Sequence, residues 1–262
     1  MSLPSQRLNV GLRLSGSLCP WVNLIYTHPL PLKVLHVITT PVNTEPEKET
    51  RVNVLIAGAN GKIGRRLISH LAADNIHVTA MVRDAAQAQS LKELGAADVV
   101  VADLEGDCSE ALKGQNTVIF TAGSGPHTGP DKTVDVDQNG AISLVDQAKA
   151  QGADRFIMVS SMRADDPSSG PDKMRHYFEA KGNADKHLRN SGLGYVIVRP
   201  GRLTEEPPLG KIKLAEKMDD FGEISREDVA NVLAEVARME IRNREFDLIT
   251  GDMPIREALQ RL

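Results

Sequence analysis

The stretch "VNVLIAGANGKIGRRLISHLAADN", residues 52–75, decides the fold. It opens with a short β-branched apolar run that stops at Gly58. Ile63, Leu67, Ile68 and Leu71 then fall on one face of a 3.6-residue period, so a helix follows the strand. Between the two stand Gly58, Gly61 and Gly64, spaced G-x-x-G-x-x-G. A chain that must turn tightly, let a pyrophosphate approach its backbone and pack helix on strand favours residues without side chains at those points. The helix N-terminus then offers free N–H groups to the phosphate. Glycine spacing alone is a weak signal, but at the first strand-to-helix turn it is a strong one. Ala59, Asn60, Lys62 and Ile63, between the glycines, are expected to line the same ligand.

Working outward, the alternation continues. "HVTAMVR", "ADVVVAD", "NTVIFTAG", "DRFIMVSS" and "GYVIVRPG" read as strands, separated by helical segments that end at Gly95, Gly152 and Gly192. Short apolar strands between helices predict an α/β fold: a doubly wound parallel sheet, the Rossmann fold, covered on both faces. After Gly201 the period loosens, with Pro207 and Pro208 in the run. "SREDVANVLAEVARM" is an amphipathic helix, "EFDLIT" a last strand and "PIREALQRL" a last helix. The folded domain is expected over residues 51–262, with residues 202–227 supplying most of a small substrate lobe.

The first fifty residues differ. No acidic residue precedes Glu45, a composition like that of an organellar transit peptide; the alternative is an extension without structural consequence. The apolar run near residues 21–40 is interrupted by His28, Pro29, Pro31, Lys33 and His36, so it is not expected to span a membrane. The expectation for residues 1–50 is a disordered or targeting segment. Net charge is −4 and aromatics make up 3%, which argues against a nucleic-acid partner. Cys19 and Cys108 are far apart, so neither a disulfide framework nor a metal site is expected. A reducing, cytoplasmic location fits, with organellar import as the alternative. The partners expected are a small-molecule substrate and, for assembly, a second copy in a homodimer; the subunit count stays open.

The second strand ends in Arg83 and Asp84. An arginine there can pair with a 2′-phosphate and favours NADP, whereas an acidic residue would accept from the ribose hydroxyls and favour NAD. Arg83 makes NADP the expected cofactor, and Asp84 keeps NAD open. Asp103 and Leu104 are placed to line the adenine pocket, and Ala122 and Gly123 to let the cofactor backbone pass.

"GANGKIG", "DRFIMVSS", "HYFEAKGNADKHLRNSGLGYVIVRPG" and "SREDVA" together resemble the short-chain dehydrogenase/reductase superfamily. The resemblance covers about residues 52–262 and is nearest to its atypical NAD(P)H-binding, epimerase/dehydratase-like branch, with biliverdin reductase B-like relatives. It implies a catalytic serine at Ser161 with Ser160 beside it, a tyrosine at Tyr177 and a lysine at Lys181. Asp137 stands where extended members carry asparagine, which departs from their water-linked proton relay. "RPG" resembles the loop that meets the nicotinamide, through Pro200 and Gly201. On spacing alone, Tyr177 and Lys181 are equally two side chains one helical turn apart. In the implied role Tyr177 is the acid/base and Lys181 lowers its pKa and reaches the nicotinamide ribose, while Ser161 holds the substrate oxygen. The rival class is a cofactor-binding sensor or scaffold with little turnover. His176 and His187 are expected to be solvated, and Arg175 and Arg202 flank the cleft and could meet an anionic substrate.

Overall fold

The computed structural model describes residues 52–125, 129–239 and 241–262. The expectations for residues 1–50, Cys19 included, lie outside the described residues. Among the described residues eleven strands form: β1 (Asn53–Ala57), β2 (His77–Val82), β3 (Asp98–Val101), β4 (Thr117–Phe120), β5 (Arg155–Val159), β6 (Gly194–Pro200), β7 (Arg202–Thr204), β8 (Lys211–Ala215), β9 (Glu223–Ser225), β10 (Arg244–Thr250) and β11 (Met253–Pro254). The principal helices are α1 (Lys62–Ala73), α2 (Ala88–Lys92), α3 (Ser109–Leu112), α4 (Pro130–Thr133), α5 (Ala141–Ala150), α6 (Arg175–Asn190), α7 (Arg226–Arg238) and α8 (Ile255–Leu259).

Nine strands form one sheet in the order β11-β8-β10-β6-β5-β4-β1-β2-β3. From β3 across to β10 every neighbouring pair is parallel. The chain order reverses between β1 and β4, where doubly wound folds open a crevice beyond the carboxyl ends of the strands. The register carries that crevice across the sheet: Ala57 lies opposite both Met81 and Phe120, Phe120 opposite Met158, and Val159 opposite Val198. Gly58, Arg83, Ala122, Ser160 and Pro200 therefore come to one edge although more than a hundred residues separate the first from the last.

Burial on both faces explains the unbroken apolar strands. Val54 and Ile56 of β1 join the cluster under α1 and α7; Leu55 and Ala57 join the one under α3 and α5. Each cluster sits on one side of the sheet.

The loosely patterned stretch after Gly201 is more regular than the sequence implies. Strand β8 joins the main sheet antiparallel to β10, and β7 pairs with β9 as a small second sheet. The strand "EFDLIT" is followed by one more, the two-residue β11, which closes on β8. Such short strands carry too few residues for a period to show.

Candidate functional site

The glycine loop shows why it contains glycine. Gly58 has φ +85°, and a Cβ on it would lie 2.5 Å from the Ala122 nitrogen beyond β4. A Cβ on Gly64 would lie 2.4 Å from the Gly58 carbonyl oxygen. The loop is thus closed on β4 on one side and packed into α1 on the other. Its backbone leads into the N-terminus of α1 at the switch point, where free N–H groups suit an anion such as a phosphate. Asn60, Gly61 and Lys62 are exposed there, and Ala59, Ile63 and Gly64 are buried beneath.

The two residues ending β2 divide their tasks. The Asp84 side chain accepts from the Ala86 N–H at 2.9 Å and caps the following 3₁₀ turn. Arg83 is exposed. One further cation was not singled out from the sequence. Arg65, in the first turn of α1, donates to Asn60 at 3.0 Å and to Ser90 at 3.1 Å, bridging the glycine loop to the segment after β2. The doubled arginine directly after Gly64 is the signal that could have found it. Asp103 is exposed, its carboxylate accepting from the Glu105 N–H, while Leu104 is buried. Lys62 is 2.8 Å from Glu205, and Arg66 and Arg226 hold the same carboxylate, tying the segment after β7 to the glycine helix.

The second half of the site is built on β5 and α6. Tyr177 is half-buried on α6, and Ser161, just beyond β5, pulls its pKa down while its own hydroxyl donates to the Met162 carbonyl at 3.2 Å. Lys181, one turn on, is buried with 2% of its side chain exposed. Its ammonium lies 3.7 Å from Asp137 and 5.4 Å from the centre of the Phe120 ring. Asp137, equally buried, sits in a π-helical stretch, Val134–Gly140, between α4 and α5. Such stretches are rare and recur at functional sites. Its other oxygen accepts from the Ser124 N–H at 2.9 Å, and Gly123 leaves room for it, since a Cβ there would lie 3.2 Å from Asp137. Asp137 is therefore the counter-ion of Lys181 and ties α6 to the loop after β4.

Lys181 pulls the pKa of Tyr177 down, as its position one turn away implies, yet the phenol stands above its ordinary value. Burial is the largest cause. Lys181 and Ser161 pull the value down, and Asp137 and Asp185 push it up. The lysine's charge is shared with a carboxylate that spacing on one helix does not reveal.

Asp185, also overlooked, continues the stripe Tyr177–Lys181 by one more turn. It accepts the Ser160 hydroxyl at 2.6 Å and is pushed up to about 6, chiefly by burial, against the pull of Ser160, Lys181 and Arg199. So the Ser160 hydroxyl donates to Asp185, and the Ser161 hydroxyl to the Met162 carbonyl. Arg163, two residues past Ser161, has φ +72° and places its guanidinium 4.6 Å from the Phe221 ring centre. A non-glycine residue in that region is uncommon and clusters at binding sites. Arg175 and Arg202 are ion-paired with Asp172 and Glu223. His187 bonds to Asp146 at 2.7 Å. Pro200 and Gly201 are buried, and a Cβ on Gly201 would lie 2.3 Å from the Gly222 carbonyl oxygen. Cys108 is buried and its thiol is pushed up to about 11, first by burial and then by Asp107 and Asp103. Among the described residues no group of three His, Cys, Asp or Glu side chains could hold a metal, and no helix is long and apolar enough to cross a membrane.

Fold, switch-point crevice and glycine cradle together define a Rossmann-type nicotinamide-dinucleotide domain. Residues 58–240 match the NAD(P)H-binding family, and the chain belongs to it. It is 44% identical over 216 residues to an uncharacterized sugar epimerase of Bacillus subtilis, covering 80% of this chain and all of that one. An uncharacterized chloroplastic protein of Arabidopsis thaliana is 32% identical, over 71% of this chain and 72% of its own. A Bacillus halodurans structure, provisionally described as a NAD-dependent epimerase/dehydratase, superposes with a TM-score of 0.79 at 44% identity, covering 80% of this chain and 100% of that one. An anaerobillin reductase of Escherichia coli O157:H7 superposes with a TM-score of 0.66 at 25% identity, covering 77% and 98%.

Proposed function

We propose that the protein is an NADP-dependent oxidoreductase of the short-chain dehydrogenase/reductase type, acting on a small carbonyl, quinone or flavin-type substrate. The observation that carries the reading is the buried Lys181–Asp137 pair one turn behind Tyr177, on the helix beside Ser161 and the strand edge that also holds the glycine loop. The loop fits the cofactor: glycine at 58 and 64 lets the turn close on β4 and pack into α1, which leaves its backbone N–H groups at the crevice free to meet a phosphate. The glycine loop would hold the pyrophosphate, with Leu104, Ala122, Pro200 and Gly201 along its length. Arg83 supports NADP over NAD, because Asp84 is already committed to its own turn and Arg83 is not. When bound, the cofactor supplies or accepts a hydride.

The chain's own residues do the rest. Ser161 orients the substrate oxygen, and Tyr177 gives that oxygen its proton. A phenol held above its ordinary value keeps its proton at neutral pH, which suits an acid in the reductive direction. Lys181 stabilises the tyrosinate left behind, and Asp137 keeps Lys181 in place. The substrate lobe of residues 202–227 is short, and Phe221 with Arg163 forms a wall suited to a planar or small substrate. The names of the epimerase and reductase relatives agree with hydride chemistry at such a site.

The test is Tyr177→Phe with NADPH and a panel of carbonyls, quinones and flavins. Turnover should fall at least ~100-fold, the usual contribution of a positioned acid, while NADPH affinity stays within about twofold. Full turnover in the variant would refute the assignment.

A further inference from the structure

Asp185 has no part in that chemistry, yet it is placed behind it. It lies one turn beyond Lys181 and two beyond Tyr177 on α6. One carboxylate oxygen accepts the Ser160 hydroxyl at 2.6 Å, from the residue preceding Ser161. Arg199 of β6 is 3.8 Å away, but it is shared with Glu245 at 2.5 Å and Asp247 at 3.7 Å. The second oxygen of Asp185 is buried and, among the described residues, has no hydrogen-bond partner.

A carboxylate kept only to neutralise Arg199 would be held ionised, as Glu245 is: Arg189 and Arg199 hold its pKa down against the cost of burial. Asp185 goes the other way and is pushed up to about 6. It also lines a crevice of about 500 Å³ beside α6, with Ala164, Pro167, Gly182 and Lys186 among the other walls. Among the described residues, none of the glycine loop, the β4 loop or "RPG" lines that crevice.

We propose that Asp185 is a positioning residue of the Tyr177–Lys181 pair: its buried carboxyl gains and loses a proton, and the charge it carries sets how tightly Tyr177 holds its own. The inference rests on the reading of Tyr177 as the site's acid. The groups facing Asp185 are Lys181, Arg189 and Tyr177 on α6, Ser160 after β5 and Arg199 on β6; Asp165, Glu179 and Lys186 line the crevice with it, and Asp137 faces Lys181 from the π-helical stretch. Ionised, Asp185 strengthens the phenol's hold on its proton. Protonated, it leaves Lys181 to act on Tyr177 against Asp137 alone.

The experiment follows the Tyr177 ring carbon by NMR in the tyrosine-labelled full chain without ligand, from pH 4.5 to 8, with Tyr177→Phe fixing the assignment. The Tyr177 signal should show a step with its midpoint at about 6. Asp185→Asn should abolish that step. Ser160→Ala removes a bond that favours the ionised carboxyl, so it should move the midpoint upward without abolishing it. His176→Gln should leave the step in place, which separates Asp185 from the neighbouring imidazole. A step that survives Asp185→Asn, disappears with His176→Gln or ignores Ser160→Ala overturns the inference. Turnover retained by Tyr177→Phe would instead sink the functional reading and leave the titration result standing.

Discussion

Asp185→Asn should change how stability responds to pH, by an amount the structure sets. The carboxyl is pushed from its ordinary 3.8 to about 6 by burial, with Ser160, Lys181 and Arg199 recovering only part of the cost. An acid whose pKa is higher folded than unfolded binds more protons in the native state between those two values. Stability therefore falls as pH rises from about 4 to about 6, and the full penalty persists above that. A gap of about two pH units, at ~1.4 kcal/mol each, is about 3 kcal/mol. Asparagine is nearly isosteric and can still accept the Ser160 hydroxyl. It carries no charge, so this component vanishes. The assay is urea unfolding of both proteins at pH 4.5, 5.5 and 7.5, comparing their difference at each pH so that other acids cancel. Because part of the penalty has already accrued at pH 4.5, the variant should gain on the wild type by about 2 kcal/mol between the lowest and highest pH, an order-of-magnitude figure. A constant difference across the range would refute the reasoning, because burial would then not be acting on an ionised Asp185. A variant that loses ground as pH rises would refute it too, and would mean that Lys181 and Arg199 outweigh desolvation.

Gly58→Ala forces a side chain into φ +85° and onto the Ala122 backbone, so it should lose ~1–3 kcal/mol in thermal or urea unfolding and most NADPH binding by fluorescence. Arg83→Ser should weaken NADPH roughly 10- to 100-fold, the worth of one charged hydrogen-bond pair, and leave NADH unchanged in the same titration. Equal loss for both cofactors would assign Arg83 to something other than the 2′-phosphate. Lys181→Met leaves Asp137 buried without its cation and should cost ~3–5 kcal/mol in urea unfolding, partly recovered by adding Asp137→Asn.

Much of this protein was legible in its residues because much of it is local. Periodicity marks the strand and helix on either side of Gly58, and glycine is the residue that such a turn needs. Arg83 and Asp84 could be placed at the end of β2 for the same reason, although only the structure shows Asp84 turned back to cap its own segment. The segment after Gly201 was less legible. Strands β7 and β9 are three residues each, and β8 finds its partner β10 some thirty residues further along the chain. Pairing of that kind is written in contacts and not in a period.

The site divides along the same line. The four-residue spacing of Tyr177 and Lys181 put them on one helix face, and it extends to Asp185 without saying that Asp185 is buried. Sequence by itself determined the doubly wound α/β plan and the dinucleotide cradle, because hydrophobic period and glycine placement act over a few residues. Tertiary structure alone decided the charge state of the centre. It brought Asp137 to within 3.7 Å of Lys181 from another segment and set Arg199 beside Asp185. It also withdrew water from all four, and in a low-dielectric interior that withdrawal, together with neighbours distant in sequence, fixes which groups keep their protons.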